Sequence, residues 1–152
     1  MKIALYKAVR PGIQGVFNII VRWWTNGPYS HCEAVLATGP DGASECASSS
    51  FLDGGVRIKS IKLDSDHWDF LEVQANPAQV RAWFAERVGL PYDLVGLLRF
   101  VGPRGDGDKA RWYCSEAVCA ALGWSEPWRF DPNTFAAVLR NLPATASTLE
   151  KA

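Results

Sequence analysis

The change from strand-like to helix-like patterning about halfway along this chain limits its fold more than any other feature. Between residues 30 and 73, short segments with alternating apolar and polar side chains are separated by turn sequences such as Gly39-Pro40-Asp41-Gly42. From Asn76 onward, apolar side chains recur at helical spacing instead. Strands grouped in one part of a chain and helices in another indicate an α+β fold, in which an antiparallel sheet or barrel packs against helices.

The predicted elements follow this division, with one early helix. Apolar residues at helical spacing predict an amphipathic helix over Ile13–Trp24, namely Val16, Ile19, Ile20, Trp23 and Trp24. Strands are predicted over residues 2–7, 30–37, 43–47, 56–61 and 68–73, joined in sequence as an antiparallel meander. Later helices are predicted over residues 77–88, 92–100, 114–122 and 132–140, with a glycine-rich loop over residues 102–108 and a frayed tail after residue 143.

Length and composition indicate a single soluble domain over residues 1–152. Hydrophobic residues make up 48% of the chain and charged residues 21%, which is the balance of a globular protein. A chain of 152 residues favours one hydrophobic core. The formal net charge is zero and there is no long run of Lys or Arg, so the sequence has no basic segment of the kind that binds nucleic-acid phosphates.

No segment has the pattern of a membrane span or a signal peptide. The most apolar candidate, residues 16–24, is far shorter than the roughly 18–20 residues needed to cross a bilayer, and it contains Asn18 and Arg22. The N-terminus lacks the long apolar region and small-residue cleavage site of a signal peptide. We therefore expect no transmembrane segment and a cytoplasmic location. The sequence leaves the oligomeric state open.

Only four cysteines and two histidines are available for nucleophilic or metal chemistry. The cysteines form no C-x-x-C pair and no metal-binding spacing, so we expect free thiols, no metal and no cofactor. Cys119 follows Cys114 by five residues, about 140° around a helix, and is expected to be a core residue.

Cys114 has the position that a nucleophilic cysteine needs. It follows a glycine-rich loop and falls in the first turn of a predicted helix. Unpaired backbone N–H groups and the helix dipole favour a thiolate at such a position. The same N–H groups can bind the oxyanion of a tetrahedral intermediate. The sequence therefore makes Cys114 the candidate nucleophile.

A general base must come from one of the two histidines. His31 follows the Gly27-Pro28-Tyr29-Ser30 loop at the start of a strand, where an imidazole can face a helix N-terminus across a groove. His67 lies in a polar, acidic segment typical of an exposed turn. A third group must orient the imidazole. Glu45, on the next strand, and Glu33, on the same strand face as His31, are both candidates.

In their order along the chain, these segments resemble the permuted papain-like cysteine hydrolases. This superfamily includes the NlpC-like and YiiX-like enzymes and is distantly related to the lecithin–retinol acyltransferases. In its permuted branch a histidine on a strand precedes the cysteine helix, as His31 precedes Cys114 here. The resemblance covers roughly residues 29 to 140. Its motifs are Tyr29-Ser30-His31-Cys32-Glu33, Glu45 with the downstream Gly54-Gly55-Val56, Gly89-Leu90-Pro91-Tyr92-Asp93, Tyr113-Cys114-Ser115-Glu116 and Asp131-Pro132-Asn133.

The resemblance implies a circularly permuted papain-like fold with its nucleophile at a helix N-terminus. Cys114 would be the nucleophile, His31 the base and Glu45 the residue that orients the imidazole. Cys32 and Cys46 stand directly beside two of these residues. Strand alternation is expected to point both thiols into the core, away from the site.

The activity implied by the resemblance is hydrolysis of an amide through a thioester, with peptidoglycan peptides as the characteristic substrates. The expected partner is a small peptide- or acyl-containing molecule. Two alternatives stay open: a hydrolase or transferase acting on lipid or other acyl groups, and a catalytically silent binding or structural module. The compact size and the helix before Tyr29-Ser30-His31 also resemble proteins of phages and prophages, so a phage-associated location is a second expectation.

Overall fold

The computed structural model describes residues 1–98 and 110–142. The fold is α+β, with an open five-stranded antiparallel sheet packed against helices. The strands are β1 (Lys2–Tyr6), β2 (His31–Thr38), β3 (Ala43–Ser50), β4 (Gly55–Lys62) and β5 (Trp68–Glu72). The helices are α1 (Ile13–Trp24), α2 (Pro77–Ala85), α3 (Leu94–Leu98), α4 (Cys114–Ala121) and α5 (Pro132–Asn141). The loop predicted over residues 102–108 and the tail predicted after residue 143 lie outside the described residues.

The strand order is β4-β3-β2-β1-β5, so the predicted meander holds only from β2 to β4. Strand β5 pairs with β1, where Trp68 faces Tyr6 and Glu72 faces Lys2, instead of continuing beside β4. The reason is that β1 is buried, and its backbone needs hydrogen-bond partners along both edges. Strand β2 pairs with β1 on one edge and β5 pairs with it on the other.

The two faces of the sheet bury different cores. On one face, side chains of β1 and β2 such as Leu5 and Ala34 pack against α2, α4 and α5. On the other face, Tyr6, Cys46 and Trp68 belong to a smaller apolar cluster. Because successive residues of a strand point to opposite faces, the parity of a residue along β2 decides which core it joins.

Helix α2 ends earlier than the predicted residue 88, because the chain turns back to the sheet. The N–H of Gly89 donates to the carbonyl of Val56 at 3.0 Å, and the N–H of Val56 donates to Leu90 at 2.9 Å. Gly55 makes this approach possible: a Cβ on Gly55 would lie 1.9 Å from the Leu90 oxygen. The N–H of Tyr92 then donates to Gly54 at 3.1 Å, which fixes Tyr92 beside the sheet.

Helix α1 has the predicted bounds and begins after Gly12, which adopts a left-handed φ of 73°. Its buried side chains include Asn18 and Val21, and Val21 packs with Tyr92 and Tyr113. The apolar residues at helical spacing that predict this helix are exposed to solvent in the structure. Among residues 1–98 and 110–142, no helix combines the length and apolar character needed to cross a lipid bilayer.

Candidate active site

Cys114 and His31 meet where the start of α4 approaches the start of β2. Cys114 is the first residue of α4, and His31 is the first residue of β2. Their side chains are in hydrogen-bonding contact, and each favours the charged form of the other. The structure thus brings together the two side chains that the sequence predicts as nucleophile and base.

The chain enters α4 through an extended Tyr113, so the helix starts at Cys114. The N–H of Tyr113 donates to the Glu116 carboxyl at 3.4 Å, and the first intrahelical bond runs from Ala117 to the Tyr113 carbonyl. Burial raises the pKa of Glu116 to about 8, so this side chain is mostly neutral at pH 7. The first turn of α4 therefore keeps its positive electrostatic character next to the Cys114 sulfur.

The buried pair is polarised toward a thiolate and an imidazolium. Burial disfavours the charged imidazole, but the Glu33 carboxylate and Cys114 outweigh burial and raise the pKa of His31 to about 9. Hydrogen bonding from Cys32 and the contact with His31 hold the pKa of Cys114 well below its usual value, against the effect of burial. At neutral pH the favoured state is a Cys114 thiolate beside a His31 imidazolium.

Cys32 does not point away from the site, contrary to the expectation from the sequence. It lies on the helix-facing side of β2, and its thiol is in hydrogen-bonding contact with Cys114. The reason is that α4 packs on this face and begins with Cys114, so a core side chain reaches the candidate nucleophile. Burial and the contact with Cys114 raise the pKa of the Cys32 thiol, which makes Cys32 the neutral donor of the pair.

Glu33, the alternative to Glu45, is the carboxylate beside His31. The Oε1 atom of Glu33 lies 2.7 Å from Nε2 of His31, and the Glu33 side chain is 1% exposed. Burial disfavours the charge of Glu33, but Arg57 and His31 outweigh burial and lower its pKa to about 2. An ionised, buried carboxylate in this place can orient the imidazole and balance its positive charge.

The structure places Glu45 far from His31. Glu45 is the register partner of Ala37, six residues beyond His31 along β2, a separation of about 20 Å at roughly 3.3 Å per residue. Its carboxylate forms an ion pair with Arg81 of α2. That pair lies on the helix side of the sheet, whereas His31 and Glu33 point to the other face. The carboxylate beside His31 is therefore Glu33, and the prediction that Glu45 lies there is wrong.

Arg57 is a site residue that the sequence reasoning missed. Its guanidinium forms a bidentate pair with the Glu33 carboxylate, in which Nη1 lies 2.6 Å from Oε2. Its Nε donates to Asp53 at 2.8 Å, and Lys59 also donates to Asp53. The sequence of β4 indicates only which residues share a strand face with Arg57. Arg57 reaches Glu33 because the register between β4 and β3 places it opposite Ser48, on the strand next to β2.

The remaining histidine and the remaining two cysteines do not contact Cys114 and His31 directly. His67 is exposed and pairs with Asp64, with its Nδ1 3.0 Å from the carboxylate. Cys119 is fully buried in the helix-side core, as expected. Cys46 is buried on the face to which His31 and Glu33 point, close enough to Glu33 and Arg57 to interact with their charges, so the expectation that it points away from the site is wrong. In the parts of the chain that the structure describes, no cluster of His, Cys, Asp or Glu side chains is suited to hold a metal ion.

The segment that carries His31 is held by a side chain from α5. The Asn133 amide accepts a hydrogen bond from the N–H of Tyr29 at 2.9 Å and donates to the carbonyl of Tyr29 at 2.8 Å. The same amide nitrogen donates to the Thr25 hydroxyl at 2.5 Å. Asn133 thereby fixes the backbone two residues before His31, an arrangement that the sequence did not predict for the Asp131-Pro132-Asn133 motif.

A cleft of about 600 Å³ opens in front of His31. Its lining combines the buried charged pair of Glu33 and Arg57, exposed charged side chains such as Lys59, and the apolar side chains of Phe17 and Phe51. The Phe17 and Phe51 rings stack at 5.4 Å. Tyr92 also lines the cleft: its ring contacts both phenylalanines, and its buried phenol is close enough to Cys114 for the two groups to interact electrostatically.

No protein-family model and no curated protein matches the sequence.

Proposed function

We propose that the protein is a cysteine hydrolase that cleaves an acyl bond through a thioester on Cys114. The observation that carries this proposal is the buried chain of contacts from Cys114 to His31 to Glu33. Covalent acyl transfer requires three groups in series: a nucleophilic thiol, an imidazole base and a carboxylate that orients the imidazole. The proposed third member is Glu33.

In the proposed reaction the Cys114 thiolate attacks the carbonyl carbon of a substrate that reaches the site beside His31, which lines the cleft. Backbone N–H groups at the start of α4 stabilise the oxyanion, and the Tyr92 hydroxyl is a further donor within the cleft. The His31 imidazolium protonates the leaving group, and the thioester forms as the acyl bond breaks. His31 then takes a proton from water as the water attacks the thioester. The C–S bond breaks, the acid leaves, and the Cys114 thiolate and His31 imidazolium are restored.

We also propose that the fold is the circularly permuted papain-like fold. Two features support this assignment: the histidine strand precedes the cysteine helix in the chain, and that helix packs on an antiparallel sheet. The resemblance favours an amide of a cell-wall peptide as the scissile bond. The apolar residues of the cleft lining, such as Phe17 and Phe51, are equally compatible with an acyl ester.

The test is the pH dependence of Cys114 alkylation by iodoacetamide, with the label located by peptide mass spectrometry. We expect wild-type Cys114 to react well below pH 8.5, the usual pKa of a free thiol, and His31→Ala to lose this reactivity. His67→Ala is the matched control and should behave as wild type. Labelling of the fully buried Cys119 reports unfolding in every sample.

If Cys114 titrates as an ordinary thiol, or if its reactivity does not depend on His31, the hydrolase proposal fails. A folded but unreactive Cys114 would instead indicate a binding or structural module.

A further inference from the structure

The outer side of α1 presents a continuous apolar face to solvent. The exposed fractions are 85% for Ile13, 57% for Val16, 48% for Ile20 and 76% for Trp23. Ile19 and Trp24 lie on the same side of the helix and are exposed as well. At 100° per residue these side chains fall within one arc of the helix, whereas Asn18 and Val21 form the buried side.

Such a face is costly in water. A contiguous patch of large apolar side chains is characteristic of a docking surface, whereas single exposed apolar residues are common on any protein. The structure attaches α1 through its other side, where Val21 packs with Tyr92 and Asn18 donates to the Ser30 hydroxyl at 2.9 Å. The apolar face is therefore not needed to hold the helix in place.

The charges around α1 favour an anionic lipid surface as the occupant. Between residues 8 and 29 the only charged residues are Arg10 and Arg22, and there is no acidic residue. Basic residues beside an apolar helix face are attracted to anionic headgroups. The adjacent Trp23 and Trp24 have the amphipathic rings that settle at a membrane–water boundary.

The length of α1 specifies how it would lie on that surface. Twelve residues form a helix about 18 Å long, which is too short to span the hydrocarbon layer but suited to lie in the plane of the interface.

The apolar face is continuous with the cleft. Ile13 and Phe17 of α1 belong to the cleft lining, and Phe51 and Leu52 form apolar lining beyond them. Phe51 and Leu52 are each 46% exposed. A surface in contact with α1 therefore lies next to the mouth of the cleft that leads to His31.

We propose that α1 docks the protein on an anionic lipid surface with the mouth of the cleft next to that surface. This proposal does not require Cys114 to be catalytic, so it and the proposed function can fail separately.

The test is flotation of the full chain with vesicles, comparing phosphatidylcholine alone with equal parts of phosphatidylcholine and phosphatidylglycerol. We expect wild type to float with the anionic vesicles, and the double variant Ile20→Gln, Trp23→Gln to partition at least about tenfold more weakly. Arg22→Gln should weaken binding to the anionic vesicles alone. Val88→Gln, at an exposed apolar position outside α1, is the matched control and should bind as wild type.

Two further measurements separate the outcomes. Cys114→Ser should float as wild type, so a loss of hydrolysis does not affect this test. Light scattering after size-exclusion chromatography gives the mass of wild type and of the double variant. A wild-type dimer that the double variant converts to a monomer would assign α1 to an interface between copies, and the proposal would be overturned. Failure of wild type to float, or unchanged flotation of the double variant, would also overturn it.

Discussion

Nε2 of His31 lies 2.7 Å from Oε1 of Glu33, two residues further along the same strand. Alternate residues of a strand share a face, so this pair needs no contribution from another strand to form. The Glu33 carboxylate is bound at the same time by Arg57 from β4. One buried carboxylate thus links the candidate base to strand β4, two strands away in the sheet, and its negative charge raises the pKa of His31.

Replacement of Glu33 tests whether its charge sets the reactivity of Cys114. We expect Glu33→Gln to lower the pKa of His31 and, because the imidazolium is then less populated, to raise the pKa of Cys114. At acidic pH the alkylation rate should fall about tenfold for each unit by which the pKa of Cys114 rises. Glu45→Gln is the matched control, since Glu45 pairs with the exposed Arg81. The measurement is the alkylation rate of Cys114 as a function of pH. Equal effects of the two substitutions would contradict the assignment of Glu33.

The titration of His31 itself can be followed directly, because the chain has only two histidines. In His67→Ala a single imidazole remains, and its NMR signal should titrate near pH 9. A raised histidine pKa stabilises the fold below about pH 6.5, and this contribution is lost as the pH rises through 9. Adding Glu33→Gln should move the midpoint to lower pH. A midpoint near 6.5 in the chain that retains Glu33 would show that the carboxylate does not hold the imidazolium.

Arg57 should matter for stability as well as for the site. Arg57→Gln leaves the buried Glu33 carboxylate without its guanidinium, and loss of one partner of a buried ion pair costs about 3 kcal/mol of unfolding free energy. Arg81→Gln breaks an exposed pair with Glu45 and should cost less than about 1 kcal/mol. Urea denaturation at pH 7 measures both. A similar small loss for the two variants would mean that water replaces the guanidinium at Glu33.

Cys32 is expected to act through Cys114. Cys32→Ala removes a thiol donor from the candidate nucleophile, so the pKa of Cys114 should rise and its alkylation at acidic pH should slow. Cys119→Ala removes an equally buried thiol at another position of the core and serves as the control. Both variants are compared by alkylation profile and by thermal unfolding. A slower alkylation that follows only the loss of stability would indicate a packing role for Cys32.

Asn133 should hold the position of His31 through the backbone of Tyr29. Asn133→Ala leaves the N–H and carbonyl of Tyr29 without these partners, at a cost of about 1–3 kcal/mol of unfolding free energy. Asn141→Ala removes an exposed hydrogen bond on the same helix and should have little effect. If Asn133 is also a positioning residue, its variant lowers Cys114 alkylation at a pH where the protein remains folded. Unchanged alkylation would limit Asn133 to a structural role.

Much of the local structure could be predicted from the sequence. Helix α1 has the predicted bounds, Asn76 and Asp131 cap their helices, and the Gly39-Pro40-Asp41-Gly42 turn joins β2 to β3. These features depend on side chains and backbone angles a few residues apart. Glu33 could also be predicted as a candidate beside His31, because residues two apart on one strand share a face.

What failed were inferences that needed a second element to be placed. The resemblance implies that Glu45, on the next strand, orients His31, but the register of β3 sets Glu45 opposite Ala37. Cys32 was expected to be remote from the site because its side chain faces the core, and the start of α4 proved to be part of that core.

The sequence by itself determined the helix start at Cys114, the strand that carries His31 and the shared strand face of His31 and Glu33, because each follows from local periodicity. Tertiary structure alone decided that Cys114 meets His31, that Arg57 binds Glu33 and that β5 pairs with β1. These contacts join residues that are distant in sequence. They form only when burial of the apolar faces fixes the strand register and the position of α4 on the sheet.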